Sequence, residues 1–250
     1  MKELLQWGFL GTARISRALI PPLRASKRNR LAAVASRSLE KAQEYSREWK
    51  VPNAYGSYEA LLADPDIDVV YIPLPNHLHT EWVLKAAAAG KHVLCEKPLA
   101  LSTAEVDSII QAAQTYQVHI AEAFMYRHHL QTLKVKEMVD NGEIGELRYI
   151  QGSFSYQLNQ EDDYRMDPAE GGAWLDMGAH LCDATRWFTG SEVELVFGTV
   201  GDFGPRPGAD LLRSASVQLL LANGVRVQIL MSLQMPEPGL GSQSQWTFIG

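Results

Sequence analysis

Between Leu4 and Glu122 the chain repeats one pattern: a short apolar run, a turn, then a stretch with helical periodicity. The runs Leu4–Leu10, Arg30–Ala35, Val69–Pro73, Lys91–Cys95 and Val118–Glu122 read as strands. The most continuous of them, such as Val-Val-Tyr-Ile-Pro at 69–73, suit strands buried on both faces. Between them lie helical stretches: one opening near Ile15, Leu39–Trp49, Tyr58–Ala63, one from Pro75 to Gly90, and Thr103–Tyr116. Strands that alternate with helices are parallel neighbours joined by crossovers, so this region predicts a doubly wound parallel sheet.

After Glu122 the pattern changes. His129–Asn141 reads as one helix, ended by Asn141-Gly142. Leu147–Leu158, Val193–Gly201, Leu211–Ala222 and Val225–Leu233 read as longer strands, and Ala222-Asn-Gly-Val225 is a hairpin signal. Runs of strands after an α/β half predict a second, α+β domain with a largely antiparallel open sheet. The expected boundaries are 1–122 and 123–250.

The formal charge of −6 argues against nucleic acid or an anionic membrane surface as the general partner. No apolar run approaches the roughly 18 residues of a membrane span, and the first residues lack the pattern of a signal peptide. Cys95 and Cys182 show neither metal nor disulfide spacing, which fits a reducing compartment. A cytoplasmic protein with buried, inert thiols is expected.

A glycine-containing turn between the first strand and helix is where a dinucleotide's pyrophosphate would meet the helix N-terminus. Gly11, Thr12, Ala13, Arg14 and Ile15 form that turn, although Ala13 and Ser16 stand where the full fingerprint has glycine. Apolar positions Ile15, Ala18, Leu19 and Leu23 mark the following helix, which Pro21-Pro22 should kink or force to start afresh. The second strand ends in Ser36-Arg37-Ser38, with Lys41 one turn further on. NAD enzymes often place a carboxylate there for the ribose hydroxyls. Ser36, Arg37 and Lys41 instead favour a 2′-phosphate, hence NADP over NAD. Ser38 also suits a plain helix N-cap. Pro73, Asn76 and His79 lie at the carboxyl end of a strand, where such sheets bind ligands, and are candidates for the nicotinamide side. A cap would explain Asn76 as well. Glu96-Lys97-Pro98 follows the next strand.

The stretches Trp7–Ile15, Pro75–Trp82, Glu96–Pro98, Glu122–His129, Tyr164–Asp167 and Gly171–Asp183, in this order, resemble the Gfo/Idh/MocA family of NAD(P)-dependent oxidoreductases. The specific pair is Glu-Lys-Pro at 96–98 with Asp-Met-Gly-Ala-His-Leu-Cys-Asp at 176–183. Glu-Ala-Phe-Met-Tyr-Arg-His-His at 122–129 and Tyr-Arg-Met-Asp at 164–167 resemble the branch of glucose–fructose oxidoreductase, xylose dehydrogenase and dihydrodiol dehydrogenase. The resemblance implies a Rossmann N-terminal domain and hydride transfer between NADP and a carbinol or carbonyl carbon of a sugar, polyol or diol. It also implies a second domain that continues beyond Gly250, and pairing of subunits through the open face of its sheet.

In that reaction Lys97 would place a cation beside the reacting oxygen and shuttle its proton. Asp176 and His180, four apart, would share one face of a helix. His180 would accept or return the proton, and Asp176 would orient it or hold a substrate hydroxyl. Lys97, Asp176 and His180 are thus expected around one nicotinamide ring. Glu96 would position Lys97 or bind ribose, and family likeness gives Asp183 a supporting role. Arg127 and Tyr156 are candidates for substrate, Arg165 for cofactor or substrate, with salt bridges an equal use for both arginines. His128 and His129 read as surface or domain-junction residues. Asp176, His180 and Asp183 permit a metal geometrically, but hydride transfer needs none, so no metal is expected. Loops such as Gln157–Pro168 would shape the substrate pocket. The alternative is a protein of the same fold that binds NADP as a sensor without turnover.

Overall fold

The computed structural model describes residues 4–159, 163–167, 171–201, 211–235 and 243–250. The chain divides into two compact units, Met1–Ala123 and Phe124–Gly250.

In the first unit, β1 (Leu5–Leu10), β2 (Asn29–Ala35), β3 (Asn53–Tyr55), β4 (Val69–Ile72), β5 (His92–Cys95) and β6 (Ile120–Glu122) form one sheet. Its order is β3-β2-β1-β4-β5-β6 and every pairing is parallel. β1 thus lies beside both β2 and β4, so the crevice where the order reverses opens at its carboxyl end. Helices α1 (Ser16–Ala25), α2 (Leu39–Trp49), α3 (Tyr58–Leu62), α4 (His79–Ala88) and α5 (Thr103–Tyr116) fill the crossovers. β4 is buried along its whole length, as its unbroken apolar run requires.

Two expectations change here. Pro21 and Pro22 lie inside α1, which runs through them as one helix. Each proline removes one N–H from the ladder; burial of Ile20 and Leu23 against Phe9, Val34 and Tyr45 holds the helix together. Its buried stripe is Ser16, Ile20 and Leu23, while Ile15 and Ala18 face solvent. The short edge strand β3 carried no periodic signal and owes its place to pairing with β2.

In the second unit, α6 (Leu130–Asp140) precedes β7 (Tyr149–Ser155), α7 (Ala179–Thr189), β8 (Val193–Gly201), β9 (Ser214–Leu221), β10 (Arg226–Ser232) and β11 (Gln243–Ile249). The sheet order is β11-β7-β10-β9-β8, parallel at β7–β10 and antiparallel elsewhere. β7 is shorter than the alternation in Leu147–Leu158 suggests, but Tyr156 N–H and Leu158 N–H still donate to Ser232 and Leu233 carbonyls. Asn223-Gly224 turns β9 into β10, with Leu221 N–H donating to the Val225 carbonyl at 3.0 Å. One face of the sheet presents Val217, Leu219, Val227, Ile229 and Met231 to Ala173, Met177 and Leu181. No helix among the described residues is long and apolar enough to cross a membrane.

Candidate active site

The turn after β1 forms because Gly11 adopts φ +114°, a conformation side chains rarely take. A Cβ there would also press on Leu74 Cδ2 at 3.2 Å. Gly11 N–H donates to the Ala35 carbonyl at 2.8 Å, tying the ends of β1 and β2 together. Beside them lies a cavity of about 420 Å³ lined by Gly11, Thr12, Ala13, Ser36, Arg37, Ser38, Lys41, Tyr58, Pro73, Leu74 and Pro75. Six of its lining residues, together with Pro73, come from the cofactor set expected from sequence. Arg14 and Ile15 are exposed and lie outside the cavity lining. Arg37 and Lys41 are exposed cations at its rim, and no carboxylate lines it. Ser38 Oγ accepts from Lys41 N–H, so the N-cap also exists.

Lys97 follows β5 in a half-buried turn, and the Lys97–Pro98 peptide is cis. Several bonds fix this turn. Glu96 N–H donates to the Ile72 carbonyl at 3.0 Å. Tyr71 Oη donates to Glu96 Oε1. Leu99 N–H donates to Glu122 Oε1 at 3.0 Å. Burial and the adjacent Glu96 carboxylate push the Tyr71 phenol far up, so it stays a donor. The Glu96 side chain is thereby tied to Tyr71 of β4.

His79 is fully buried. Its Nδ1 lies 2.7 Å from the Pro98 carbonyl and its Nε2 2.8 Å from the Leu74 carbonyl. The ring joins the loop after β4 to the Lys97 turn, a place fixed by contacts distant in sequence. Burial lowers its pKa and outweighs the two carbonyls, which favour the charged form. Asn76 is buried at the start of the 3-10 turn that leads into α4.

In the second unit Asp176 lies in a π turn, Trp174–Gly178, that runs into α7. The regular α-helix expected through both Asp176 and His180 is therefore replaced at its start by a wider turn, a feature that recurs at functional sites. The spacing of four is common to both geometries, which is why sequence did not separate them. Tyr156 Oη donates to Asp176 Oδ2 at 2.5 Å, and Arg165 Nε donates to Oδ1 at 3.2 Å. Arg165 is held in turn by Asp163, at 3.1 Å and 3.2 Å from Nη1, and lies over the Tyr164 ring. Burial opposes the Arg165 charge, yet Asp176 raises its pKa overall. Burial and the Asp176 charge push the Tyr156 phenol up. Both oxygens of Asp176 are thus engaged within the unit. Of the loop 157–168, positions 160–162 and 168 lie outside the described residues.

His180 is buried at the start of α7. Asp183, three residues on, takes both Nε (2.9 Å) and Nη2 of Arg127, and also the Tyr126 hydroxyl. Arg127 accordingly sits in an ion pair, the use left open for it beside substrate binding. His128 and His129 are exposed. Burial pushes both thiols up, that of Cys182 to about 11. Sequence reading did not pick out Asp163 or Tyr126. An Asp two residues before Arg165 was the local signal for the first; Tyr126 had none, because its partner is more than fifty residues away.

Two family models match the chain. One, described as "Oxidoreductase family, NAD-binding Rossmann fold", covers residues 5–124, and the GFO/IDH/MocA C-terminal domain covers 132–250. An uncharacterised oxidoreductase of Rhizobium meliloti is 40% identical over 236 residues, 93% of this chain and 70% of its own length. D-xylose 1-dehydrogenase (NADP(+)) 2 of Haloferax volcanii is 43% identical over 201 residues, 79% of this chain and 61% of that protein. A solved 3-ketoreductase from Actinomadura kijaniata, in complex with NADP and TDP-benzene, superposes with a TM-score of 0.88 at 30% identity. That match covers 99% of this chain and 74% of that one. The parallel six-stranded unit with its glycine turn, the mixed sheet, and matches along nearly the whole chain agree: the protein belongs to the Gfo/Idh/MocA oxidoreductase family.

Proposed function

We propose that this chain is an NADP-dependent oxidoreductase that transfers a hydride between the cofactor and a carbinol or carbonyl carbon of a sugar, polyol or related diol. The observation that carries the reading is the cavity at the end of β1 and β2, where Ser36, Arg37 and Lys41 meet the Gly11 turn without a carboxylate. Two cations and a hydroxyl attract a 2′-phosphate that a carboxylate would repel. The Haloferax xylose dehydrogenase is an NADP(+) enzyme, and the Actinomadura ketoreductase was solved with NADP bound.

When bound, NADP supplies the hydride chemistry at its nicotinamide ring. The chain's residues bind, orient and manage the proton. The Gly11–Ala13 turn and the start of α1 hold the pyrophosphate, and Ser36, Arg37 and Lys41 hold the ribose phosphate. The Lys97 ammonium favours negative charge on the substrate oxygen during transfer. His180 takes the hydroxyl proton in oxidation and returns it in reduction. Asp176, gripped by Tyr156 and Arg165, fixes the turn that precedes His180. His79 and Glu96 hold the Lys97 turn.

The test has two arms. Titration of the chain with NADP and NAD, read by fluorescence, should show NADP bound more tightly. Arg37→Ala should weaken NADP about tenfold, or about 1.4 kcal/mol, and leave NAD unchanged. Tighter NAD binding would sink the phosphate argument. A panel of aldoses, polyols and diols, followed at the nicotinamide absorbance band, should then reveal turnover that Lys97→Ala abolishes. Binding without oxidation across the panel would favour a sensor.

Self-association belongs with this reading. Leu195 and Phe197 are 64% and 67% exposed on β8, opposite Leu220 and Gln218 of β9, on the face that carries no helix of the described core. Their burial against a second copy would remove this exposed apolar surface from water. Two free cysteines fit the cytoplasm as the compartment.

A further inference from the structure

The short 3-10 turn Met125–His128 touches α7 at two levels. At the lower level, Arg127 and Tyr126 together occupy the Asp183 carboxylate. At the upper level, aromatic rings surround the His180 imidazole. Tyr126 and Phe124 meet it edge-on with centroids 5.8 Å and 5.6 Å away, and Phe154 of β7 lies at 6.0 Å. Tyr126 takes part at both levels. Its hydroxyl also lies 3.5 Å from the His180 carbonyl oxygen. Burial and the Asp183 charge push its phenol well up, so it remains a neutral donor.

We infer that Tyr126 is a positioning residue for His180: its hydroxyl clamps Asp183, and its ring thereby holds the imidazole in a single orientation. This rests on His180 moving the substrate proton, as proposed above. An imidazole can rotate about χ2, and only one orientation aims a given nitrogen at a substrate oxygen. The two edge-on rings packed against it oppose that rotation. They do so only while they are fixed themselves, and Asp183 fixes Tyr126. Arg127 completes the clamp by neutralising the carboxylate with a two-pronged contact. Its guanidinium also lies over the Phe124 ring at 5.8 Å, so the second ring of the cage is tied to the same pair.

The experiment compares the full chain with Tyr126→Phe, which keeps the ring and deletes the hydroxyl, and with Asp183→Asn, which weakens the clamp from the other side. Two readouts are taken. One is kcat and KM for NADP-dependent oxidation of D-xylose. The other is the imidazole Cε1–H resonance of His180, assigned among the seven histidines by its loss in His180→Gln. Loosened orientation should lower kcat about tenfold while KM stays within about twofold. The His180 resonance should shift and broaden while the other six stay in place. If Tyr126→Phe does not fold, Asp183→Asn carries the same comparison. An unmoved His180 resonance overturns the proposal whatever happens to kcat, because a merely structural loss would leave the ring environment intact. If His180→Gln itself retained turnover, the catalytic reading would fall separately, and the resonance would still decide the positioning claim.

Discussion

Lys97 and His180 are held in place by different kinds of contact. Around Lys97 the fasteners are mostly backbone groups: the Ile72, Leu74 and Pro98 carbonyls and the N–H groups of Glu96 and Leu99, met by the buried side chain of His79 and the half-buried one of Glu122. Around His180 and Asp176 they are side chains bonded to side chains: Tyr156 and Arg165 on Asp176, Tyr126 and Arg127 on Asp183. A backbone fastener tolerates many neighbouring substitutions, because every residue type brings the same N–H and carbonyl. A side-chain network fails when one member goes and leaves buried partners unmatched. The second unit should therefore be the more sensitive of the two to single conservative changes.

The largest effect is expected at Gly171, where a Cβ would fall on the Arg165 carbonyl. Gly171→Ala should cost about 3 kcal/mol in urea unfolding, since backbone rather than a flexible tip must move. An unaffected midpoint would show that Arg165 is free to shift, and would break the contrast. Next, Asp176→Ala strips the bonded carboxylate from Tyr156 and one of two carboxylates from Arg165, and should cost about 2 to 3 kcal/mol. Tyr71→Phe in the first unit deletes one bond to Glu96 and should cost only about 1 kcal/mol. Equal losses from the two variants would erase the distinction between the units. Ser102, whose Oγ accepts from Glu105 N–H in a capping box at α5, should lose about 1 kcal/mol on change to Ala.

The smallest effect is in pH. His79 has its pKa lowered from 6.5, burial being the main cause. The folded state therefore binds fewer protons than the unfolded state below that value. The stabilisation is complete above pH 6.5 and is lost as pH falls through the lower folded value. In the second unit Glu192 is held below 4.5 by Arg186. Its contribution is complete above pH 4.5 and is lost only as pH falls through its lower folded value. A urea midpoint that drifts down from pH 6.5 in the wild type, and not in His79→Gln, would sharpen the comparison. Loss confined to pH below 4.5 in both would remove it.

The same contrast explains how much was legible in the sequence. The bounds read for α2 and α5 agree with the structure, because local periodicity and the Ser38 and Ser102 caps specify them. The Gly11 turn and the Ser36-Arg37-Ser38 end of β2 were legible because the chemistry lies within a few consecutive residues. β3 was too short to carry a pattern, and the buried stripe of α1 runs through polar Ser16 while apolar Ile15 and Ala18 face solvent, so apolar spacing points to the wrong face. His79 joins loops whose other ends lie at Leu74 and Pro98, and nothing in its spacing announces that. Tyr126 and Asp183 meet across 57 positions, so only the folded chain pairs them.

β7 has its own consequence. It is the first strand of its sheet to be synthesised, yet it lies inside, between β10 and β11. Tyr149 meets Arg226 on one side and Ile249 on the other, about a hundred residues later. While the chain leaves the ribosome, β7 waits with both hydrogen-bonding edges bare until nearly all of the present sequence has emerged. Closing such distant pairs is slow, and an unpaired strand invites other chains in the meantime. Expression yield of this protein should therefore depend on chaperone supply and growth temperature more than its folded stability would suggest.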